Sequence, residues 1–217
     1  MTVRWSLPTL GLALALGCAT PAPSIPAPSG PPLIASLPSP SPSVAAPAVP
    51  SGAFLFFEDF ERPARFAERW DVTGGTPEVN WRVLEANTCG GAYTMLLGRA
   101  GQAPFEGVAA EATLVLRQPI DLIKARRPHL KFDVLGQAQP ARAITVQAEG
   151  RRADGAWEPL GEPVIASDSL VRPVVTDVTR FAGGALALRF RAVLTPGEAP
   201  LKGLLLDDVQ IIEPDTP

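Results

Sequence analysis

The sequence predicts an all-β sandwich of about nine or ten short antiparallel strands, preceded by a long proline-rich segment. Residues 53–214 contain short apolar runs separated by Gly, Pro, Asn and Asp turn signals. Several of these runs alternate apolar and polar residues, which is typical of a strand with one buried face. No stretch holds a 3.6-residue apolar period. The roughly 160 residues after residue 52 suffice for one domain with its own core.

Residues 1–17 predict a signal peptide. Arg4 precedes an apolar stretch, residues 7–16, that is too short for a permanent membrane span. The stretch ends in Ala15-Leu16-Gly17-Cys18, which resembles the lipobox of bacterial lipoproteins. That resemblance implies that Cys18 is acylated and anchors the chain in a bacterial cell envelope. Ala19, where an inner-membrane retention signal has Asp, favours the outer membrane. The alternative is an ordinary secretory signal that is cleaved nearby.

Residues 18–52 predict a disordered tether. Of the 30 residues from 21 to 50, 11 are proline, and most of the others are small. Proline lacks an amide proton and has a fixed φ, so neither a helix nor a sheet forms. At ~3.1 Å per residue the tether spans at most about 90 Å, and we expect it to hold the folded domain clear of the lipid surface.

The strands of the folded domain are predicted from residue 53 onward. Residues 53–59 form the first apolar run, and residues 66–70 have room for one helical turn. Asp154-Gly155 signals a hairpin turn. We expect the first and last strands to lie side by side. Further strand candidates are residues 79–83, 93–97, 112–116, 130–134, 144–148, 174–178, 185–194 and 204–212.

The longest alternating run shows which side chains face inward. Arg189 and Arg191 are expected outside. The expected inward face consists of Leu186, Leu188, Phe190, Ala192 and Leu194.

The charge argues against a nucleic-acid-binding protein, and the cysteine content argues against a fold held by disulfides. The net charge is −3, from 19 basic and 22 acidic residues, so the chain lacks the basic footprint of a nucleic-acid-binding protein. Cys18 and Cys89 are the only cysteines. If Cys18 is acylated, Cys89 has no partner, and no disulfide is expected.

Five short motifs occur in an order that resembles one group of domains. They are Phe-Glu-Asp-Phe-Glu at residues 57–61, Pro-Ile-Asp-Leu at 119–122, Asp-Gly-Ala-Trp at 154–157, Asp-Val-Thr at 177–179 and Leu-Asp-Asp-Val at 206–209. The chain thereby resembles the jelly-roll β-sandwiches of the MAM and galactose-binding-like type over residues 53–213. Such domains occur as accessory domains of secreted bacterial peptidases and as carbohydrate-binding modules.

The resemblance also implies a structural calcium ion between the first and last strands. Its ligands would be the side chains of Glu61 and Asp207 and the main-chain carbonyl of Asp59. Calcium prefers six to eight oxygen ligands, which suits such a set. Glu58 and Asp208 are possible additional ligands. The alternative is a set of solvated acids, or of acids paired with Arg62 or Arg65.

No catalytic motif is present. His129 is the only histidine, so a two-histidine metal site cannot form. No nucleophile elbow, zinc-protease helix or phosphate loop is found. A hydrolase would need Cys89 beside His129, or a carboxylate pair drawn from scattered acids. The candidates for such a pair include Glu106, Glu111 and Asp133.

Exposed aromatic side chains would be the sign of glycan binding, because sugar rings stack on them. Trp157 and Trp70 are the possible ligand platforms, whereas Trp81 alternates with polar residues and is expected in the core. The alternative for Trp157 is that it covers the edge of its own sheet.

The sequence therefore predicts a non-catalytic, surface-displayed lipoprotein whose β-sandwich serves recognition or adhesion. Its partners would be the membrane, through the lipid anchor, and a glycan or a surface protein. The alternatives are a glycan-binding accessory module, a cryptic hydrolase and a structural envelope protein without a small ligand.

Overall fold

The computed structural model describes residues 52–86, 90–105, 109–136, 144–153, 155–165, 171–195 and 201–214. The predicted signal peptide and tether, with Cys18, lie outside these residues, as do Cys89, Glu106 and Asp154. The predictions made for them stay predictions. Within the described ranges, no helix combines the length and the apolar character that crossing a bilayer requires.

Two antiparallel sheets form the sandwich. Sheet A contains β1 (Gly52–Glu58), β3 (Asn80–Glu85), β4 (Tyr93–Gly98), β7 (His129–Gly136), β11 (Val171–Asp177) and β13 (Leu204–Pro214). Sheet B contains β2 (Trp70–Gly74), β5 (Ala110–Leu116), β6 (Ile120–Asp121), β8 (Ile144–Arg151), β9 (Glu158–Pro159), β10 (Val164–Ile165) and β12 (Ala185–Leu194). Sheet A has the order β11-β7-β13-β4-β3, and sheet B has the order β10-β8-β12-β5-β2.

This arrangement confirms the predicted all-β sandwich. Ten of the strands in the described part of the chain have five or more residues, and β6, β9 and β10 have two each. The only α-helix there is the single turn α1 (Phe66–Arg69), where the sequence has room for one. Three short 3-10 turns complete the described elements: Pro63–Arg65, Ala100–Gln102 and Thr179–Phe181.

The core lies between the sheets, and β12 contributes its predicted inward face. Leu186, Leu188, Phe190, Ala192 and Leu194 are all at most 2% exposed. The ring of Phe190 meets that of Phe132 on β7 edge-on, with 5.1 Å between the centroids. This pair joins the two sheets. Burial of each leucine or phenylalanine side chain in this core stabilises the fold by about 1.5–3 kcal/mol.

Strand β13 changes its neighbour along its length, and this change positions the first candidate site. Residues 204–206 pair with β4, whereas residues 209–214 pair with β1. Strand β7 lies on the other side of both halves. The first and last strands therefore lie side by side as predicted. The end of β1 and the start of β4 meet beside residues 207–208.

Candidate functional site

The first candidate site is a cavity of about 190 Å³ at the point where β13 changes its neighbour. It is called the acidic cavity here, because Asp59, Glu61, Asp207 and Asp208 line it. No cationic side chain is among the described residues of its lining, which also includes Gly90 and Gly91. The structure thus brings together Glu61, Asp207 and Asp59, as the sequence predicts.

Irregular backbone shapes this cavity. The register of β13 against β7 shifts between Asp207 and Gln210, which marks a β-bulge. Within the bulge Asp208 has a φ of +48°, and Phe60, two residues after the end of β1, has a φ of +56°. A non-glycine residue rarely adopts such a φ, and bulges commonly redirect side chains next to functional sites. The bulge redirects the backbone at the two aspartates that line the cavity.

Hydrogen bonds fix the position of Glu61. The amide N–H of Tyr93 donates to Glu61 Oε1 at 3.0 Å, and the amide N–H of Glu61 donates to Asp59 Oδ1 at 3.1 Å. Gly91 leaves the room that this carboxylate needs, since a Cβ atom at that position would lie 1.9 Å from Glu61 Oε1. The loop before β4 and the end of β1 are thereby held together.

The acidic cavity disfavours negative charge on Asp207, which is only 3% exposed. The pKa of Asp207 is raised to about 7. Burial is the main cause of the rise, and the negative charges of Asp208 and Glu61 contribute to it. Burial also raises the pKa of Asp208, with Asp133 as the next cause. A cation in the cavity would remove this electrostatic cost.

The chemistry of the acidic cavity suits a calcium ion, because every side-chain donor in it is a carboxylate oxygen. In the described part of the chain, however, no three acidic, histidine or cysteine side chains converge as placed on one metal position. The four carboxylates therefore line the same cavity without meeting at one point.

Glu58 does not belong to this donor set, although the sequence allowed it as an additional ligand. Its side chain points toward the core and accepts hydrogen bonds from the Trp70 indole N–H at 3.0 Å and the Phe60 amide at 3.1 Å. Arg69 Nη1 lies 2.9 Å from Glu58 Oε2. Arg65, one of the two arginines considered as partners of the acids, pairs with Glu68 instead.

The prediction that Trp70 is a ligand platform is wrong. The residue is 1% exposed and packs against the rings of Phe60 and Phe190, with centroid distances of 6.0 and 6.3 Å. It begins β2 on the inner face of sheet B, where its indole N–H is satisfied by buried Glu58. Trp81 is buried in the core, as expected, and is 4% exposed.

The second candidate site is the outer face of sheet B around Trp157. The guanidinium carbons of Arg151 and Arg189 lie 4.6 and 4.4 Å from the centre of its ring. The residue is half-buried, and these cation–π contacts fix its ring on the sheet. Trp157 therefore covers part of sheet B, and it also remains partly accessible to a ligand.

A network of charged side chains continues from Trp157 across the same face. Glu149 is 7% exposed and accepts hydrogen bonds from Arg189 Nε at 2.5 Å and from Arg191 Nε at 3.0 Å. Arg191 Nη1 also donates to Glu111 Oε2 at 3.2 Å. The hydrogen bond with Glu149 is the main cause that raises the pKa of Arg191. Trp157, Arg151, Arg189, Arg191 and Glu149 are called the Trp157 face below.

Only part of the Trp157 face could be predicted from the sequence. The alternation in β12 places Arg189 and Arg191 outside, but it does not show what lies beside them. Glu149 pairs with Arg189 across β8 and β12, and Arg151 pairs with Ala187. That register joins residues 40 positions apart in the chain. An outward acid at the centre of an alternating strand is the one signal that could have suggested a network.

The described residues do not assemble the hydrolytic sites considered from the sequence. Glu111 lies on β5 in sheet B and is bonded to Arg191, whereas Asp133 lies on β7 in sheet A. His129 Nδ1 lies 2.9 Å from the carbonyl oxygen of Arg127. Glu106 and Cys89 are outside the described residues, so the pair of Cys89 with His129 remains untested.

Solved structures share the fold of this chain. A family 61 carbohydrate-binding module in complex with β-1,4-galactotriose is 15% identical, with a TM-score of 0.52 over 71% of this chain and 94% of the module. An exo-β-agarase is 11% identical, with a TM-score of 0.54 over 76% of this chain and 25% of the enzyme. A family 22 xylan-binding domain from Paenibacillus barcinonensis is 15% identical, with a TM-score of 0.48 over 78% of this chain and all of the domain.

These similarities confirm the jelly-roll, galactose-binding-like fold that the motifs indicate. They concern the fold alone, because the identities are low. No protein-family profile matches the chain, and no curated protein sequence is similar to it.

Proposed function

We propose that this chain is a non-catalytic glycan-binding module and that the sugar binds on the Trp157 face. The observation that carries the proposal is a half-buried indole held on the outside of sheet B by two arginines, directly beside a hydrogen-bonded charged network. This reading favours the glycan-binding alternative over general recognition or adhesion.

Stacking is the first physical contribution. The apolar C–H face of a pyranose ring packs on an indole, and an indole whose orientation is already fixed loses little conformational entropy on binding. Arg151 and Arg189 supply that fixation, because both guanidinium groups lie within 5 Å of the ring centre of Trp157.

Hydrogen bonding is the second contribution. Sugar hydroxyl groups both donate and accept, so they can bind to carboxylates and to guanidinium groups. Glu149, Arg189 and Arg191 hold one another by the bonds described above, so their polar atoms are preorganised beside the indole. A sugar ring on Trp157 could place its hydroxyl groups over these side chains.

The fold likeness supports the same function. The module of family 61 binds a β-1,4-linked galactose oligosaccharide, and a quarter of the length of an exo-β-agarase has the same sandwich. Galactose-containing polysaccharides are therefore the first ligands to test. This support is independent of the Trp157 face, which follows from the side-chain contacts of this chain.

Electrophoresis of the purified chain through native gels that contain a polysaccharide tests the proposal. We expect slower migration in at least one gel of a panel that contains β-1,4-galactan, agarose, xylan and mixed-linkage β-glucan. Gels without polysaccharide and a non-binding protein of similar charge provide the reference. Unchanged migration in every gel would contradict glycan binding within this ligand class.

A structural calcium ion in the acidic cavity is a second proposal. The buried position of Asp207, the raised pKa values of Asp207 and Asp208, and the four carboxylates in the lining support it. Glu61 and Asp207 would be its main side-chain ligands, with Asp208 in addition and the Asp59 carbonyl as the main-chain ligand. When bound, the ion would supply positive charge that stabilises the contact between β1, β4 and β13.

A further inference from the structure

The arginines on the outer surface of sheet B outnumber the acids that neutralise them. Glu149 has both carboxylate oxygens occupied, since Oε2 accepts from Arg189 and Oε1 accepts from Arg191. Glu111 Oε2 accepts from the same Arg191. The two acids of this network therefore bind two arginines, and Arg151 takes no part in it. The composition does not account for this surplus of positive charge, because the whole chain has a net charge of −3.

Arg151 has no anionic partner in the described part of the chain. Its guanidinium carbon lies 4.6 Å from the ring centre of Trp157, and its Nε atom is buried without an acceptor among the described residues. The indole attracts the cation but carries no net charge, so the positive charge stays uncompensated. Arg151 is only half-buried, and its two terminal nitrogens are not among the fully buried atoms. An anion at these nitrogens would offset the partial loss of hydration.

The neighbours of Arg151 in sheet B do not supply that anion. Ala187 lies opposite Arg151 in the pairing of β8 with β12. Glu158 on β9 contacts another arginine, since its Oε2 lies 3.5 Å from Arg180 Nε. Arg152, the next residue along the chain, adds a further cation, whose guanidinium group donates to the carbonyl oxygen of Arg180. The surroundings of Arg151 within the described residues thus favour a negatively charged ligand.

We infer that the glycan bound on the Trp157 face is anionic and that the terminal nitrogens of Arg151 bind its carboxylate or sulfate group. The inference rests on the glycan-binding function proposed above and names the class of sugar. A pyranose ring stacked on the indole has its substituents near Arg151, because the guanidinium group already contacts that indole. The planar guanidinium group donates two parallel hydrogen bonds to the two oxygens of such an anion. Uronic acids and sulfated sugars share this chemistry.

Pairs of polysaccharides that differ in charge test this inference on the purified chain. One pair is glucuronoxylan and its carboxyl-reduced form, which reports on uronic acids. The other is a sulfated agaran and its desulfated form, which reports on sulfated sugars. Native electrophoresis at several concentrations of each polymer gives the apparent Kd.

Three variants complete the experiment. Arg151→Gln removes the charge, and Arg151→Lys keeps the charge but not the planar group. The matched control is Arg126→Gln, which removes an exposed arginine whose amide is bound by Glu213 of sheet A. Thermal unfolding of each variant shows that the fold is kept.

We expect the unsubstituted chain to bind at least one anionic polymer about tenfold more tightly than its neutral counterpart. Arg151→Gln should abolish most of this preference while changing the affinity for the neutral form by less than about twofold. Arg151→Lys should retain part of the preference, and Arg126→Gln should behave like the unsubstituted chain.

The outcomes separate the inference from the proposed function. Equal affinity for the charged and neutral forms, with binding lost in Trp157→Ala, would overturn the inference and leave glycan binding on the Trp157 face intact. An equal loss in Arg151→Gln and Arg126→Gln would show a general effect of charge and would also overturn it. An equal loss of the charged and neutral forms in Arg151→Gln would reduce Arg151 to a support for the indole. Absence of binding to every polymer of both pairs would contradict the proposed function together with the inference.

Discussion

Replacing Trp157 with alanine is expected to weaken binding of the responsive polysaccharide by at least about tenfold, which corresponds to a loss of about 1.4 kcal/mol. The indole supplies the stacking surface, and its removal also frees Arg151 and Arg189 from their contacts with the ring. Calorimetric titration with an oligosaccharide of that polysaccharide measures the change.

The matched control for this prediction is Phe54→Ala, which removes an exposed aromatic ring from sheet A instead of sheet B. We expect it to leave glycan affinity within about twofold, because surface substitutions away from a site have small effects. Equal affinities of the Trp157→Ala and unsubstituted chains would place the sugar elsewhere. Thermal unfolding of both variants shows whether a loss of binding is a loss of fold.

Replacing Asp207 with asparagine is expected to make the folded domain more stable at pH 8 in a chelator. The pKa of Asp207 is raised to about 7, above its value of about 3.9 in an unfolded chain. The stability that its proton confers is fully present below pH 4 and is lost as the pH rises through 7. Asparagine carries no charge at any pH, and its side-chain oxygen can still accept the amide N–H of Asp208, which lies 2.9 Å from Asp207 Oδ1.

The expected gain at pH 8 is on the order of 1–2 kcal/mol after allowance for solvent screening, or about 2–8 °C in Tm. At pH 4 the two chains should differ little. Calcium at pH 8 should raise the Tm of the unsubstituted chain and not that of Asp207→Asn. Glu162→Gln, which replaces an exposed acid between β9 and β10, should behave like the unsubstituted chain.

Differential scanning calorimetry at pH 4 and pH 8, with calcium and with a chelator, measures these effects. Identical stability of the unsubstituted chain and Asp207→Asn in a chelator at both pH values would show that burial does not penalise this carboxylate. An equal calcium effect in both chains would remove Asp207 from the proposed ligands.

The parts of the fold that depend on local pattern could be predicted from the sequence. The alternation in β12 gave its buried face, since period-2 patterning reflects which side of a strand is covered. The contact between the first and last strands was also predicted, and it brings Glu61 and Asp207 to one cavity. The irregular backbone at Asp208 could not be predicted. The apolar run 204–206 and the two aspartates after it are equally compatible with a regular strand.

The contacts that could not be predicted from the sequence depend on side-chain direction and on long-range strand register. Glu58 and Trp70 were considered for separate functional roles, yet each satisfies the other inside the domain. Glu149 and Arg191 meet only because β8 and β12 pair in one register. Neither pairing has a signal within a short window of sequence.

The most direct test of glycan binding on the Trp157 face is a two-dimensional NMR titration of the indole N–H signals of the purified chain. Trp70 and Trp81 donate to buried acceptors, Glu58 and the Ala112 carbonyl, so their signals serve as internal references. With an oligosaccharide of the responsive polysaccharide, we expect the Trp157 signal to shift and those two to stay in place. A saturable shift of Trp70 or Trp81 with an unmoved Trp157 would contradict the proposed binding face.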